Sequence, residues 1–241
     1  MKKFKVLSTK KITPELVNES RRNNIEITTI EFISIKSIHS KENEELIKNW
    51  ALTNHIPAVF TSANAVDSFR SYFPPGPINS KNWEVYCLSG KTKESLISNF
   101  PGIALPDTDE NASELAKKII TKGCHTVVFF CGNKRRDELP SLLKENGIGV
   151  QEVVLYETME KPVELSHHYD AVLFFSPSSV TSFFSVNKMK KNTICFSIGE
   201  TTANAIREHV TNIIIQSPEP SAEKLIEKLN LYFQQLNKTN E

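Results

Sequence analysis

The sequence lacks the motifs that mark the common enzyme classes. It contains no GxGxxG fingerprint, no GxxxxGK[ST] phosphate loop, no nucleophile elbow and no HExxH zinc motif. Its four cysteines form no CxxC pair, and His125 is the only histidine beside one of them. Metal ligation needs closer spacing and nearby histidines, so we expect no metal ion. The cysteines are better explained as reduced, buried residues: Cys87, Cys124, Cys131 and Cys195.

Long apolar runs and an excess of charge of one sign are also missing. No run approaches the ~18 apolar residues of a membrane-spanning helix, and the N-terminal MKKFKVLSTKKI is a poor signal peptide. The formal net charge is +1 over 241 residues, which does not favour nucleic acid or a membrane surface as a partner. We therefore expect a soluble, cytoplasmic protein, and we also expect a monomer.

Short apolar runs alternate with helical patterns along most of the chain. The runs include FKVLST, PAVFTS, WEVYCLS, DAVLFFS and NTICFSIG, and most of them precede a helical pattern. Buried strands that end in Gly, Ser or Thr and lead into a helix are typical of βα units in parallel sheets. The sequence therefore predicts an α/β fold.

Two strand-like segments lead into no adjacent crossover helix. They are ITTIEFISIKSI (27–38) and GVQEVVLYETMEK (149–161), and both lie between repeated halves of the chain. If they pair as linkers, the chain forms two flavodoxin-like parallel-sheet domains joined by a two-stranded linker, with the active site in the interdomain cleft. The predicted boundaries are 1–28 plus 163–235 for domain one, 38–150 for domain two, 29–37 and 149–162 for the linker strands, and 236–241 for a frayed tail.

One strand-to-helix corner occurs twice in the sequence. FFSPSSVTSFF (174–184) repeats VFTSANAVDSF (59–69), with Ser62 aligned to Ser176. Each copy is followed by a second corner, CLSGKT or FSIGETT, in which a glycine follows the strand and a threonine stands two residues later. Two related halves therefore carry two similar corners each.

The residue types in these corners suit the binding of an anion. Glycine allows a tight turn that brings the backbone close to a ligand, and Ser, Thr or Asn at a helix N-cap leaves further backbone N–H groups for a negative charge. Any one of these residues alone is better explained as an ordinary helix cap. Four such corners in two related halves favour anion binding.

A fifth corner, FFCGNKRRDELPSLL, carries Arg135 among three cations at the start of a helix. Cations at that end oppose the helix dipole unless an anion is bound. Pairing of these cations with Asp137 or Glu138 is an equally good explanation. Lys10 follows the first strand in a similar position.

Taken in order, these corners resemble the uroporphyrinogen-III synthase family, which closes the linear tetrapyrrole hydroxymethylbilane in haem biosynthesis. The resemblance covers nearly the whole chain, and its specificity lies in the order and spacing of motifs that are individually weak. Where the family often has Thr-Arg-Pro after the first strand, this chain has Ser8-Thr9-Lys10-Lys11, which replaces a bidentate fork by a point charge. The matching motifs are FTSANAV (60–66), SGKT (89–92), KRRDELPSLL (134–143), YET (156–158), FSPSSV (175–180) and IGETTANAI (198–206).

The resemblance implies a reaction and a set of residues. A polycarboxylate tetrapyrrole loses water to give an azafulvene cation, and a spiro intermediate then inverts the last ring before closure, with no metal or cofactor. Tyr156 matches the family's linker tyrosine and is the candidate catalytic residue, although packing against a linker strand explains it equally well. The candidate substrate-binding residues are Lys10, Ser62, Ala63, Asn64, Gly90, Lys91, Thr92, Arg135, Ser176, Ser178, Ser179, Gly199, Thr201 and Thr202.

Two other functions fit parts of the pattern. A non-catalytic protein with two α/β domains that close on an anionic small molecule explains the repeat and the donor-rich corners equally well. A flavodoxin-like redox or phosphate-transfer protein predicts bound flavin or a phosphoacceptor aspartate at a strand end, and no strand identified above ends in aspartate.

Overall fold

The computed structural model of the chain describes residues 2–53, 56–104 and 107–239, including all side chains up to residue 237 except those in the two gaps. The chain divides into two compact units, which we call unit 1 (Met1–Ser34 with Met159–Glu241) and unit 2 (Ile35–Thr158). Within the described ranges, no helix is both long and apolar enough to cross a membrane.

Strands and helices alternate along most of the chain, as the sequence predicts. The strands are β1 (Phe4–Ser8), β2 (Ile25–Thr29), β3 (Ile33–Ser37), β4 (Ala58–Phe60), β5 (Val85–Leu88), β6 (Asp107–Asp109), β7 (Thr126–Gly132), β8 (Gly149–Glu160), β9 (Ala171–Phe174), β10 (Ile194–Ser197) and β11 (Ile214–Gln216). The helices are α1 (Pro14–Arg22), α2 (Lys41–Thr53), α3 (Ala63–Arg70), α4 (Lys91–Asn99), α5 (Ala112–Thr121), α6 (Glu138–Glu145), α7 (Pro177–Phe184), α8 (Glu200–Arg207) and α9 (Ala222–Thr239).

The sheet of unit 1 is parallel and has the strand order β2-β1-β9-β10-β11. Numbered within the unit, this is the 2-1-3-4-5 order of flavodoxin-like folds. The α/β prediction with two parallel-sheet domains is confirmed, because unit 2 contains a second sheet whose strands from β8 to β6 are also parallel.

The two sheets have the same order after a circular permutation. The order in unit 2 is β3-β8-β7-β4-β5-β6, and it becomes 2-1-3-4-5 for β8 to β6 when β7 is counted as the first strand. In that numbering β4 corresponds to β9, and β5 corresponds to β10. The repeated corners of the sequence therefore follow equivalent strands, and the corner after β7 corresponds to the corner after β1.

Both faces of the unit 2 sheet are covered, which explains its nearly continuous apolar strands. On β4, Ala58 and Phe60 pack into one core cluster, whereas Val59 between them packs into the cluster on the other face. The first cluster includes an aromatic group in which the Phe69 and Phe130 ring centroids lie 4.7 Å apart. This packing anchors the strand ends from which the corners of unit 2 start.

The predicted linker segments contain strands that belong to the sheets of the two units. The segment 29–37 is interrupted at 30–32, so that β2 joins the sheet of unit 1 while β3 lies beside β8 in the sheet of unit 2. The segment 149–162 contains β8, which pairs with β7 in parallel from Gly149 to Tyr156 and is a full member of that sheet. Parallel pairing with a buried strand was not visible in the sequence pattern.

The predicted frayed tail at 236–241 is helical as far as Thr239, because α9 continues to that residue. The physical reason is that Leu236 packs against the core cluster of unit 1. Residues 240 and 241 lie outside the described part of the chain.

Candidate functional site

The candidate residues lie in the loops that follow the carboxyl ends of parallel strands. In unit 2 these corners follow β4, β5 and β7, and in unit 1 they follow β1, β9 and β10. In open α/β sheets, ligands bind outside the carboxyl ends of the strands. Each corner precedes a helix, whose first backbone N–H groups have no partner within the helix.

The corner after β4 joins a helix cap to a tyrosine. The Oγ atom of Ser62 accepts a hydrogen bond from the backbone N of Ala65 at 3.1 Å and so caps α3. The same oxygen lies 3.1 Å from the Oη atom of Tyr156 on β8. Tyr156 is half-buried, with its ring against the aromatic core cluster of unit 2. Two residues that the sequence suggested for different roles are therefore hydrogen-bonded to each other.

The end of β7 holds Tyr156 in place. A Cβ atom at Gly132 would overlap the ring of Tyr156, so the ring occupies space that only glycine leaves open. The register between β7 and β8 shifts at this point, where Gly132 pairs with Tyr156. Gly132 was not among the predicted site residues, although a glycine in a strand often marks a place where another group approaches the backbone closely.

Asn133 fixes the backbone that directly follows Tyr156, on both sides of Glu157. Its backbone N donates to the Tyr156 carbonyl oxygen at 3.1 Å, and its Oδ1 accepts from the backbone N of Thr158 at 2.9 Å. Asn133 was also missed, because nothing in its local sequence indicates that it contacts β8.

The corner after β5 depends on a left-handed glycine. Gly90 has φ +67° and caps α4, a conformation that glycine adopts without strain. Among the described residues, no atom beyond its chain neighbours lies within 4 Å of where a Cβ would stand. Lys91 is exposed and Thr92 is buried on the first turn of α4. This corner presents backbone N–H groups beside open space.

In unit 1 the repeated corner is tied to the loop after β1. Ser176 caps α7 by accepting from the backbone N of Ser179 at 3.2 Å. The buried hydroxyl of Ser179 donates to the Ser176 carbonyl oxygen at 2.7 Å and accepts from Thr9 Oγ1 at 3.4 Å. Ser179 therefore stabilises the corner from inside, whereas Ser176 and Ser178 are half-buried.

The corner after β10 contains an extended glycine. Gly199 has φ 178°, which any residue adopts, and among the described residues no atom beyond its chain neighbours lies within 4 Å of its Cβ position. Its backbone conformation therefore does not require glycine, and a side chain there would stand in open space at the start of α8. Thr201 is exposed on the first turn and Thr202 is buried.

Arg135 is engaged by carboxylates of its own unit. Its Nε donates to Glu152 Oε2 at 2.5 Å, and its guanidinium also forms ion pairs with Glu152 and Asp137. The side chain of Arg135 is 24% exposed. The predicted alternative, pairing of Arg135 with Asp137, is thus observed. The two carboxylates neutralise most of the positive charge that was expected to bind a substrate.

The remaining candidates lie at the surface of the corners. Asn64 and Lys10 are exposed, and Ala63 is half-buried at the first position of α3. Within the described residues, no group of three or more His, Cys, Asp or Glu side chains is placed to hold a metal ion.

The cysteines are unpaired thiols, and three of them are far from reactive. Burial raises the pKa of Cys87 and of Cys195 to about 12. Burial also raises the pKa of Cys131 to about 11, against the opposing effect of Arg135. Because the thiolate is the nucleophilic form, these three residues are unsuited to covalent chemistry near neutral pH.

Comparison with known proteins agrees with this arrangement. A family described as uroporphyrinogen-III synthase HemD matches residues 14–227. The crystal structure of uroporphyrinogen-III synthetase from Helicobacter pylori 26695 is 20% identical, with a TM-score of 0.67 over 95% of this chain and 99% of that chain. A mutant uroporphyrinogen III synthase from Thermus thermophilus is 14% identical, with a TM-score of 0.65 over 98% and 99%. At these identities the structures show a shared fold, while the family match spans most of the sequence. The chain belongs to the uroporphyrinogen-III synthase family, lyases that cyclise hydroxymethylbilane.

Proposed function

We propose that this chain cyclises hydroxymethylbilane to uroporphyrinogen III with Tyr156 as the proton donor to the leaving hydroxyl. The observation that carries the proposal is the hydrogen bond between Tyr156 and Ser62, which holds the phenol at the carboxyl end of the unit 2 sheet. The family match supports the reaction, and the geometry supports the role of the residue.

The reaction needs the transfer of one proton, to the oxygen of the leaving hydroxyl group. The C–O bond of the hydroxymethyl group breaks, the oxygen leaves as water with a proton from Tyr156, and the pyrrole nitrogen supplies electrons to form an azafulvene cation. The substituted carbon of the last ring attacks this cation to give a spiro intermediate, which opens and recloses with that ring inverted. A proton lost from the new ring junction restores the phenol, so the net change is the loss of one water.

Ser62 orients the phenol. One lone pair of Ser62 Oγ accepts from the backbone N of Ala65, and its hydroxyl proton remains available to donate to Tyr156 Oη. In that arrangement the proton of Tyr156 points away from Ser62, toward the space where a substrate hydroxyl would lie. A positioned general acid contributes about 10²-fold or more to a rate.

Selection of the inverted product is a matter of substrate folding. The corners of each unit offer backbone N–H groups at the starts of α3, α4, α7 and α8, and helix N-termini bind carboxylates well. Holding several carboxylates at once restricts the conformations of a linear tetrapyrrole, which is a positioning effect. The substrate's own reactivity supplies much of the driving force, so we expect the loss of any single binding residue to reduce the activity only partly.

The experiment is an isomer analysis. Purified protein is given hydroxymethylbilane, the products are oxidised, and the type I and type III porphyrins are separated. We expect the type III isomer to dominate, whereas spontaneous closure gives the symmetric type I isomer. A type III fraction no higher than in the protein-free control would refute the enzymatic function and leave the non-catalytic anion-binding protein as the better explanation.

We also propose that the protein acts as a monomer in the cytoplasm. The unpaired state of all four cysteines supports a reducing compartment. Sedimentation at micromolar concentration tests the monomer, and a single species at twice the chain mass would contradict it.

A further inference from the structure

Unit 1 contains a cavity that none of the candidate residues above lines. It lies between α1, the loop after β1 and the segment after β2, and its volume is about 690 Å³. This volume is within the range of about 300–1,000 Å³ typical of small-molecule sites. We call it the α1 cavity.

The α1 cavity combines an apolar surface with a cationic one. Its apolar side chains are Ile12, Pro14, Val17, Ile30 and Val163. Its charged side chains are Lys11, Arg21, Lys161 and Glu31, which give a net charge of about +2 near neutral pH. Flat molecules with two or more carboxylates fit such a surface, because the ring covers the apolar side chains while the carboxylates reach the cations.

None of the three cations forms an ion pair within the described part of the chain, although Arg21 acts electrostatically on Glu26 and Glu31 lines the same cavity. Within the described part of the chain, no carboxylate oxygen lies within 4.0 Å of the side-chain nitrogens of Lys11, Arg21 or Lys161. Arg135, in contrast, is held by two carboxylates. A substrate with a carboxylate on every pyrrole side chain needs cations, and the α1 cavity has three that are available.

We propose that the α1 cavity binds one pyrrole ring of the substrate through its acetate and propionate carboxylates. This proposal rests on the proposed function, because it identifies the ligand as part of hydroxymethylbilane. The cavity includes residues that follow the carboxyl ends of β1 and β2, the same edge of the unit 1 sheet from which the corners after β9 and β10 start. The ring stacks on the apolar side chains, and Arg21 and Lys161 take the two carboxylates.

The chain offers a matched control for Arg21. Arg21 and Arg22 are adjacent in the last turn of α1 and are both exposed, so each removes one positive charge from the same helix end when mutated. Only Arg21 lines the cavity. The position of Lys161 depends on its backbone, whose N donates to the Phe32 carbonyl oxygen at 2.8 Å, so Lys161→Ala preserves that contact.

The first test is calorimetric titration with a monopyrrole that bears one acetate and one propionate side chain. We expect binding that weakens as salt is raised, and a loss of affinity of about tenfold in each of Arg21→Ala and Lys161→Ala, since one charged contact is worth about that factor. Arg22→Ala should stay within about twofold of the wild type. Arg21→Lys keeps the charge and should regain part of the affinity.

Two results would overturn the proposal: equal affinities of Arg21→Ala, Lys161→Ala and wild type, or equal binding of the neutral dimethyl ester of the pyrrole. Thermal melts of each variant ensure that a loss of binding is not a loss of folding.

The second test uses the full reaction. Arg21→Ala should raise KM for hydroxymethylbilane about tenfold, whereas Arg22→Ala should leave KM near the wild-type value, because only Arg21 lines the cavity. An unchanged KM in a wild-type-like enzyme refutes the cavity proposal alone. Failure of the wild type to make the type III isomer refutes the proposed function instead, so the two failures are distinguishable.

Discussion

The hydroxyl oxygens of Tyr156 and Ser62 lie 3.1 Å apart although the residues are 94 positions apart in the chain. Their strands are not neighbours, because β7 lies between β8 and β4. The side chain of Tyr156 reaches across the end of β7, where Gly132 leaves room for its ring. The hydrogen bond between Tyr156 and Ser62 therefore depends on β4, β7 and β8, and on the absence of a side chain at Gly132.

Replacing Tyr156 by Phe tests the proton donor. We expect Tyr156→Phe to slow formation of the type III isomer by about a hundredfold, because a general acid is lost while the reactive hydroxyl still leaves unassisted. The ring and its packing remain, so the melting temperature should change little. Stopped-flow assay of hydroxymethylbilane consumption, with isomer analysis of the product, measures the rate, and a thermal melt measures the stability.

Tyr86→Phe is the matched control. Tyr86 belongs to the same unit, but its hydroxyl bonds Glu84 at 2.9 Å before the start of β5, away from the corners. We expect it to retain the wild-type isomer ratio and rate. Wild-type activity in Tyr156→Phe would remove the proton donor from the mechanism.

A methyl group at Gly132 should act through Tyr156. In Gly132→Ala the new Cβ overlaps the ring, so the ring must move from Ser62, and overpacking of this kind costs about 1–3 kcal/mol. We expect lower activity and lower stability. The decisive measurement is a double-mutant cycle: Gly132→Ala should reduce kcat in the wild type and reduce it much less in Tyr156→Phe. Additive losses in kcat would show that Gly132 does not act by positioning the phenol.

The corners were predictable from sequence and their partners were not. The repeat that aligns Ser62 with Ser176 is local, and local chemistry predicted both helix caps. The contact between Gly132 and Tyr156 depends on strand order and on a register shift between β7 and β8, neither of which a single sequence shows. The buried hydrogen bond between Ser179 and Thr9 could not be predicted for the same reason, because the two residues are 170 positions apart in the sequence.

Arg135 should matter for stability more than for substrate affinity. Its removal leaves Glu152, which is 22% exposed, with Lys144 as its remaining ionic partner among the described residues. We expect Arg135→Ala to reduce the free energy of unfolding by about 1–2 kcal/mol, less than for a fully buried pair. KM for hydroxymethylbilane should stay within about twofold of the wild type.

Urea unfolding and steady-state kinetics on the same preparation of Arg135→Ala separate the two roles. Lys144→Ala, which removes a more exposed partner of the same carboxylate, should have a smaller effect on stability. A large rise in KM without loss of stability would instead make Arg135 a substrate contact.

Two equivalent glycines should respond differently to alanine. Gly90 has φ +67°, so Gly90→Ala strains the backbone by roughly 1–2 kcal/mol and lowers the melting temperature. Gly199 has an extended φ of 178°, so Gly199→Ala should fold as well as the wild type. Its methyl group would nevertheless stand in the space before α8, and we expect KM to rise. Unchanged kinetics in Gly199→Ala would mean that no substrate carboxylate approaches that corner.

Stability should fall as the pH rises above about 8.5, the ordinary pKa of a thiol. Burial raises the pKa of Cys131 to about 11 and that of Cys87 to about 12 in the folded chain, so the unfolded chain releases these protons first. The stabilisation that the neutral thiols give is therefore complete below a pH of about 8.5 and decreases as pH approaches the folded values, by at most about 1.4 kcal/mol per pH unit for each thiol. Urea unfolding at about pH 7.5 and about pH 10, on either side of the ordinary thiol pKa, measures the decrease, and Cys131→Ala should make it smaller. A free energy of unfolding that is equal at both pH values would show that the thiols ionise as readily in the folded chain as in the unfolded one.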